Sequence, residues 1–559
     1  FVLRPGHPVL GVARTMVEES LRMGVALIFI IAMLVLLPML PLIFGSEDRV
    51  TYMVQRFLTY SNMIVAVLLG LMTVLLAART VSLEIATRQI HMTLTKPLGR
   101  VQYLLGKWLG IVLLNAVLLI VAGIATYGFT MAIARNPALN DLDRYAVDRE
   151  ILTARLAQTP RPIDTSWERM YANVLKEKQL ADPVRFGEVG SPFATLADDA
   201  MQEIIADTVS RFYTVKGGQS QDFVISGLGE ASAAAERAAV QGRDLLVHEA
   251  GLTRDQAQDY VNAALGRPSD LTIETAEQVP ADTRDQVMRI VQREVIQLSL
   301  TPAASPKPEN LNTEVFLKIK GQPWPPPQAP NAPPPRTRLI TETLNELPVP
   351  ASLINQQGQM VITITVPDAR QDGFEQQAVR FNYKDAVIEV FYRVGSFESN
   401  LAKALTIVWF KLAFLAMVGL MAGSLLSFPV AAMLALIVYV AAAASGVINE
   451  SLDSYAGFAR SDNTWQVITG TVSAFFSQLG NGDIYSALKL LLRLIGEAFM
   501  LLIPSFGEFN THRPLSAGHV IDNRMVANAA LKIGIIWTGV VAIIGLLLFN
   551  RKEIARVQV

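Results

Sequence analysis

Cysteine is absent from this chain, which removes disulfides, thiolate nucleophiles and cysteine metal sites without fixing the compartment. Histidine is nearly absent: His7, His91, His248, His512 and His519 are all there are. His248-Glu249 lacks the second His four residues on that a zinc-protease helix needs, and His512 with His519 would require further ligands, so no metal is expected. A phosphate loop is lacking too. Gly99 and Gly106 are separated by six residues rather than four, and Lys107 is followed by Trp108 instead of Ser or Thr. No serine carries a nucleophile motif, and Asp198, Asp199 and Glu203 read as a solvated helix face. Catalytic residues and cofactors are therefore expected to be none. A net charge of -1 gives no case for nucleic acid.

Hydrophobic residues make up 51% of the chain and charged ones only 17%, with the apolar residues concentrated in long blocks at both ends. That is the composition of a membrane protein with a soluble insert. Phe1 rather than Met opens the sequence, so an incomplete or processed N-terminus is expected, and no cleavable signal precedes the first block. Pro8 to Arg22 interleaves apolar and charged residues at helical spacing, an amphipathic surface helix. Met23 to Phe44, Ser61 to Ala78 and Trp108 to Ala134 follow as spans, at about 1.5 Å per residue against a hydrocarbon core of about 30 Å. Leu405 to Phe428, Pro429 to Ile448 and Ala529 to Phe549 repeat the pattern, with Lys532 placed to snorkel. Ile484 to Ile503 is apolar but holds Lys489, Arg493 and Glu497, so it reads as an outer amphipathic or re-entrant helix over 484–503.

Between the second and third spans lies a basic island over 79–107. Arg79, Arg88, Lys96, Arg100 and Lys107 face a single acid, Glu84, so the positive-inside tendency puts the island in the cytoplasm. Pro97 and Gly99 break its helical run, giving helix, turn, helix. The run Glu84, Arg88, Leu94-Thr95, Pro97, Arg100, Gly106-Lys107 resembles the loop of the permease subunit in type-2 ABC exporters, although Arg88 stands where many members have Gly. The resemblance implies that this loop carries a coupling helix that sits on a separate ATP-binding subunit. It also implies that two permease subunits pair, as a homodimer or heterodimer. Pro504-Ser505-Phe506-Gly507-Glu508-Phe509 is similar to a proline-x-phenylalanine-x-x-phenylalanine segment before the last span of related bacterial permeases.

The expected architecture is an α-helical integral membrane protein with six transmembrane helices, three and three, and a mixed α+β insert between the third and fourth spans. Residues 1–134 form the first membrane half, 135–400 an extracytoplasmic insert and 401–559 the second half. The insert reads as helical over 135–300, with Glu230 to Leu265, broken near Gly251, and Ala281 to Leu300 the clearest helices. Residues 301–338 are proline-rich and read as an extended spacer. Residues 339–394 read as β-rich; Val315 to Ile319, Val361 to Val366 and Ala378 to Val394 alternate like strands. Within the membrane, Asn115 and Lys411 could line a pathway. In the bland alternative Asn115 bonds to a neighbouring helix and Lys411 snorkels.

The resulting functional expectation is a transport subunit without its own nucleotide site, in the inner (cytoplasmic) membrane with both termini cytoplasmic. Its partners would be an ABC ATP-binding subunit and membrane lipid. The competing reading is a non-transporting subunit that passes ATPase-driven motion to the insert.

Overall fold

The computed structural model describes residues 8–22, 24–43, 49–87, 99–160, 164–190, 198–264, 269–292, 295–305, 312–326, 333–355, 357–368, 378–381, 388–456 and 504–551, with a few isolated positions between 472 and 491. They form two compact units: residues 1–154 with 395–559, and residues 155–394. The expected helix over 484–503 lies outside the described residues except at 488, 490 and 491.

The helical unit opens with α1 (Pro8–Arg22) and α2 (Val25–Ile43), which are bent by 62° against each other. Gly24, at φ +72°, supplies a left-handed residue at the bend. α3 (Val50–Ala86) and α4 (Arg100–Ala134) follow. At 37 residues α3 is about 55 Å long, well beyond the hydrocarbon thickness of about 30 Å, so its ends project from any bilayer that it crosses. A short helix, α5 (Asp141–Tyr145), and a π-helical turn (Ala146–Ile151) close this half.

In the second unit the chain enters β1 (Thr153–Gln158), then α6 (Asp164–Ala181) and α7 (Asp198–Phe212), which share a small core at Val174, Ala200 and Ile204. After β2 (Thr214–Lys216) and β3 (Ser220–Ile225), helices α8 (Gly229–Glu249), α9 (Arg254–Ala264) and α10 (Ala281–Gln292) build a bundle around Leu246, Val261 and Val287. The break between α8 and α9 falls at Gly251, φ +66°, where the sequence places it. The remaining strands are β4 (Val295–Leu300), β5 (Ala303–Ser305), β6 (Asn312–Ile319), β7 (Gln322–Trp324), β8 (Thr337–Ile340), β9 (Asn345–Pro350), β10 (Met360–Thr365), β11 (Ala378–Arg380) and β12 (Ile388–Ser396). They form sheets ordered β1-β12-β4-β9, β3-β10-β6-β7 with β8 also on β6, and β2-β11-β5. Phe223, Leu298, Leu317, Ile362 and Val390 meet in one core drawn from the two larger sheets.

Three expectations for the insert are corrected here. Residues 135–300 are not simply helical, since β1 to β4 fall within them. Ala281 to Leu300 is a helix only to Gln292. Its last six residues alternate, with Ile296, Leu298 and Leu300 entering the sheet core, and so form β4. The proline-rich stretch 301–338 is not only an extended spacer, because among its described residues β6 lies inside a sheet with partners β10, β7 and β8.

The chain returns to the helical unit as α11 (Phe397–Leu425) and α12 (Phe428–Ala456). Only Leu426 and Ser427 separate them, and Pro429 sits in the first turn of α12, where its missing N–H costs nothing. α13 (His512–Ser516) precedes α14 (Asn523–Ala529), which passes through a π-helical turn (Ala530–Trp537) into α15 (Thr538–Arg551). Among the described residues five helices are long and apolar enough to cross a membrane, or six if the bent α1–α2 pair counts as one. α11 is the central one. Gly419 and Gly423 let it lie against Ala77 and Ala78 of α3, where a Cβ on Gly423 would come within 2.5 Å of the Ala78 carbonyl oxygen. On α2, α12 and α15, by contrast, residues such as Ile28, Leu34, Ile437, Ile543 and Leu547 remain exposed, which is the distribution expected of helices that face lipid.

Candidate functional site at the island end of the helices

The island joins the last turn of α3 to the first turns of α4, and helical geometry brings charge together there. Glu84 lies one turn before the end of α3; Tyr103 and Lys107, four apart on α4, share a face. The Lys107 ammonium forms an ion pair with Glu84 and a second with Glu19 of α1 at 3.2 Å, while the Tyr103 hydroxyl donates to the other Glu84 oxygen. Lys107 is 4% exposed, so its charge is inside the protein. Two carboxylates of its own chain hold it.

α1 makes this burial possible. Val12, Ala13, Met16 and Ser20 form its buried stripe, at spacings of three and four. The stripe lies on Gly106 and Gly110 of α4. A Cβ on Gly106 would fall 2.6 Å from Val12 Cβ, and one on Gly110 would fall 2.8 Å from the Ala13 carbonyl oxygen. Glycine at both positions brings the helices close enough for Glu19 to reach Lys107. Glu19 and Tyr103 are members of this cluster that the loop motif does not contain. The signals for them were the amphipathic period of α1 and the four-residue spacing from Tyr103 to Lys107.

Arg100, in the first turn of α4, points elsewhere. Its guanidinium donates to the Phe549 carbonyl at 3.2 Å and lies 5.7 Å from the centre of the Phe549 ring. A cation at the C-terminal end of α15 meets the negative end of that helix's dipole. Glu84, Arg100, Gly106 and Lys107 therefore tie α1, α3, α4 and α15 together at one end. Arg88, Thr95 and Pro97 lie outside the described residues.

The two polar residues singled out within the spans are apart from this cluster. Asn115 is fully buried and donates to the Thr73 hydroxyl of α3 at 2.9 Å. Thr73 in turn donates to the Leu69 carbonyl at 2.6 Å. Lys411 of α11 donates to the carbonyls of Phe506 and Phe509 at 3.1 and 3.0 Å. At the opposite end from the island, Asp143 accepts from the Val50 and Thr51 amides, each at 3.0 Å, and from the Thr51 hydroxyl at 2.6 Å. Burial pushes the Asp143 carboxyl up, but hydrogen bonds from the Thr51 hydroxyl and from the Thr51, Val50 and Leu139 amides outweigh it and hold the group below its ordinary value.

Residues 15–147, which run from α1 to the π-helical turn after α5, match the family model described as ABC-2 family transporter protein. This segment is similar to the ABC-2 transporter family. The match covers about a quarter of the chain and includes the whole island. No curated protein and no solved structure matches the chain. The match and the long apolar helices together point to an integral membrane protein, similar over residues 15–147 to ABC-2 permeases. That family works with an ABC ATP-binding subunit. Glu19, Glu84, Tyr103, Arg100 and Lys107 all fall within the matched segment.

Proposed function

We propose that the chain is the membrane permease subunit of an ATP-driven exporter whose ATP is hydrolysed by a separate subunit docked on the island. The observation that carries this reading is the ABC-2 match across residues 15–147. In this reading six spans, three in each half, flank an extracytoplasmic insert. Both termini and the island are cytoplasmic, in a bacterial inner membrane. Two permease subunits, identical or different, pair to make the bistable element that ATP-driven closure switches.

The proposed division of labour within the island gives Arg88, Thr95 and Pro97 the contact with the ATPase, as the loop's resemblance implies. Glu84 and Lys107 stand behind them as struts. A push on the turn reaches α3 and α4 directly, α1 through Glu19 and α15 through Arg100. Buried ion pairs suit this use because separating their partners is costly. The substrate is the cargo moved between the spans.

The test is copurification of the tagged chain with its candidate ATP-binding subunit, followed by ATPase measurement in lipid nanodiscs. Arg88→Glu is expected to weaken the complex or uncouple its ATPase while leaving the chain monodisperse. Glu84→Gln is expected to reduce the stability of the chain itself. A chain that expresses normally and binds no ATP-binding subunit overturns the proposal.

A further inference from the structure

The seven residues Pro504–Asn510, between α12 and α13, form an irregular turn seated among three helices. α12 contributes backbone and hydroxyl contacts. The Phe506 amide donates to the Ala442 carbonyl at 3.2 Å, the Gly507 amide donates to Ser445 Oγ at 3.0 Å, and Ser445 and Ser505 pair hydroxyls at 3.1 Å. Gly446 and Gly507 lie backbone against backbone, since a Cβ on Gly446 would be 3.1 Å from Gly507 Cα. α11 contributes Lys411, whose ammonium clasps the Phe506 and Phe509 carbonyls, and Phe414, edge-on to Phe506 at 6.0 Å. On the rim, Lys532 pairs with Glu508.

Phe506 and Phe509 are buried in the core of the helical unit, and the turn's backbone is fixed beside them by a small set of directional polar contacts. Among the described residues no carboxylate pairs with Lys411, and its half-buried ammonium is held by two neutral carbonyl dipoles and lies 5.4 Å from the centre of the Phe506 ring. Close by, Asn62 Oδ1 and His512 Nδ1 are buried and have no hydrogen-bond partner among the described residues. The Asn62 amide reaches Thr511 at the limiting distance of 3.5 Å. Burial and the Lys411 charge push His512 down to about 4, so it is neutral at physiological pH. The turn's backbone is thus tied to α11 through one side chain, which can be let go in a single step.

We propose that Pro504–Asn510 is a movable gate and that Lys411 is its latch, a positioning residue that holds the turn on α11 and releases it during the transport cycle. The proposal rests on the permease reading for the cycle, but the latch itself does not. Two carbonyls three residues apart on one turn are fixed by a single cation, so losing that cation frees the turn's backbone at two points together.

The absence of cysteine gives a clean background for the test. Ser445→Cys with Ser505→Cys places two thiols on side chains that face each other, within reach of a disulfide, and the rate of oxidative cross-linking in nanodiscs reports seating. Adding Lys411→Met is expected to slow cross-linking about tenfold, the loss of a charge-assisted hydrogen bond, and Lys411→Arg to restore most of it. Equal rates in all three variants overturn the latch. With an ATP-binding subunit bound, trapping the complex with ATP and vanadate is expected to slow cross-linking in the Lys411 protein several-fold by unseating the turn. An unchanged rate overturns the gate. If no ATP-binding subunit is found, the permease reading fails, and the Lys411 variants still decide the latch.

Discussion

Trp108 of α4 and Trp409 of α11 exchange hydrogen bonds across the junction of the two membrane halves. The Trp108 indole donates to the Ala413 carbonyl at 2.9 Å, and the Trp409 indole donates to the Val112 carbonyl at 3.0 Å. Each acceptor is the residue four positions after the other tryptophan, so the contact is reciprocal about a local two-fold. The indoles make this possible because each joins a large apolar surface to one directed N–H.

Replacing either tryptophan with Phe removes one donor and leaves the helical bonds of the acceptor intact. Each change is expected to cost about 1 kcal/mol. The double variant is expected to depart from additivity, because the two rings share one interface. Thermal unfolding in detergent, followed by the monodisperse fraction, measures both.

Lys107→Met leaves Glu84 buried without its cation and is expected to destabilise the fold by about 3 to 5 kcal/mol. Combining Lys107→Met with Glu84→Gln removes the orphaned charge and is expected to recover a large part of that loss. The same thermal assay distinguishes this network from a surface pair, for which both changes would be nearly silent.

Asp143→Ala strips the start of α3 of its cap and is expected to cost about 1 to 2 kcal/mol. Because the folded carboxyl is held below its ordinary value, its contribution is fully present above the unfolded pKa. It is lost as the pH falls through the lower folded pKa. Thermal stability of the native chain should therefore decline with acidification over that interval, and less steeply in the variant.

Gly423→Val at the α3–α11 seam puts a branched side chain where even a Cβ would be 2.5 Å from the Ala78 oxygen. The helices must separate, and the variant is expected to aggregate or run as a broadened peak in size-exclusion chromatography. Gly128→Val, on α4 with nothing within 4 Å of its Cβ position, is the matched control and is expected to behave like the parent.

What the sequence disclosed, and what it hid, follows from the range of the interactions involved. Long apolar blocks and the break at Gly251 are local signals, and the helices and the break are found where they indicate. The island's composition marked Glu84 and Lys107, but not that they pair, because burial of Lys107 depends on α1, whose contact with α4 is set by Gly106 and Gly110. Asn115 could be assigned to a helix contact in general terms; its partner Thr73 is a matter of helix rotation. β4 was hidden because Val287, Ile290 and Val291 carry a helical period straight into Val295 to Leu300, where the period changes to two. The strand's partners, β9 and β12, lie far along the chain, so only tertiary pairing selects it.

The glycine seam and the tryptophan pair make α11 a helix with two unlike attachments. Toward α4 it is fastened, because an indole hydrogen bond keeps its length only in one register. Toward α3, at Gly419 and Gly423, it is laid alongside, backbone on the small side chains of Ala77 and Ala78. A displacement of α3 along its axis can therefore pass α11 as along a rail, whereas a displacement of α4 must carry α11 with it.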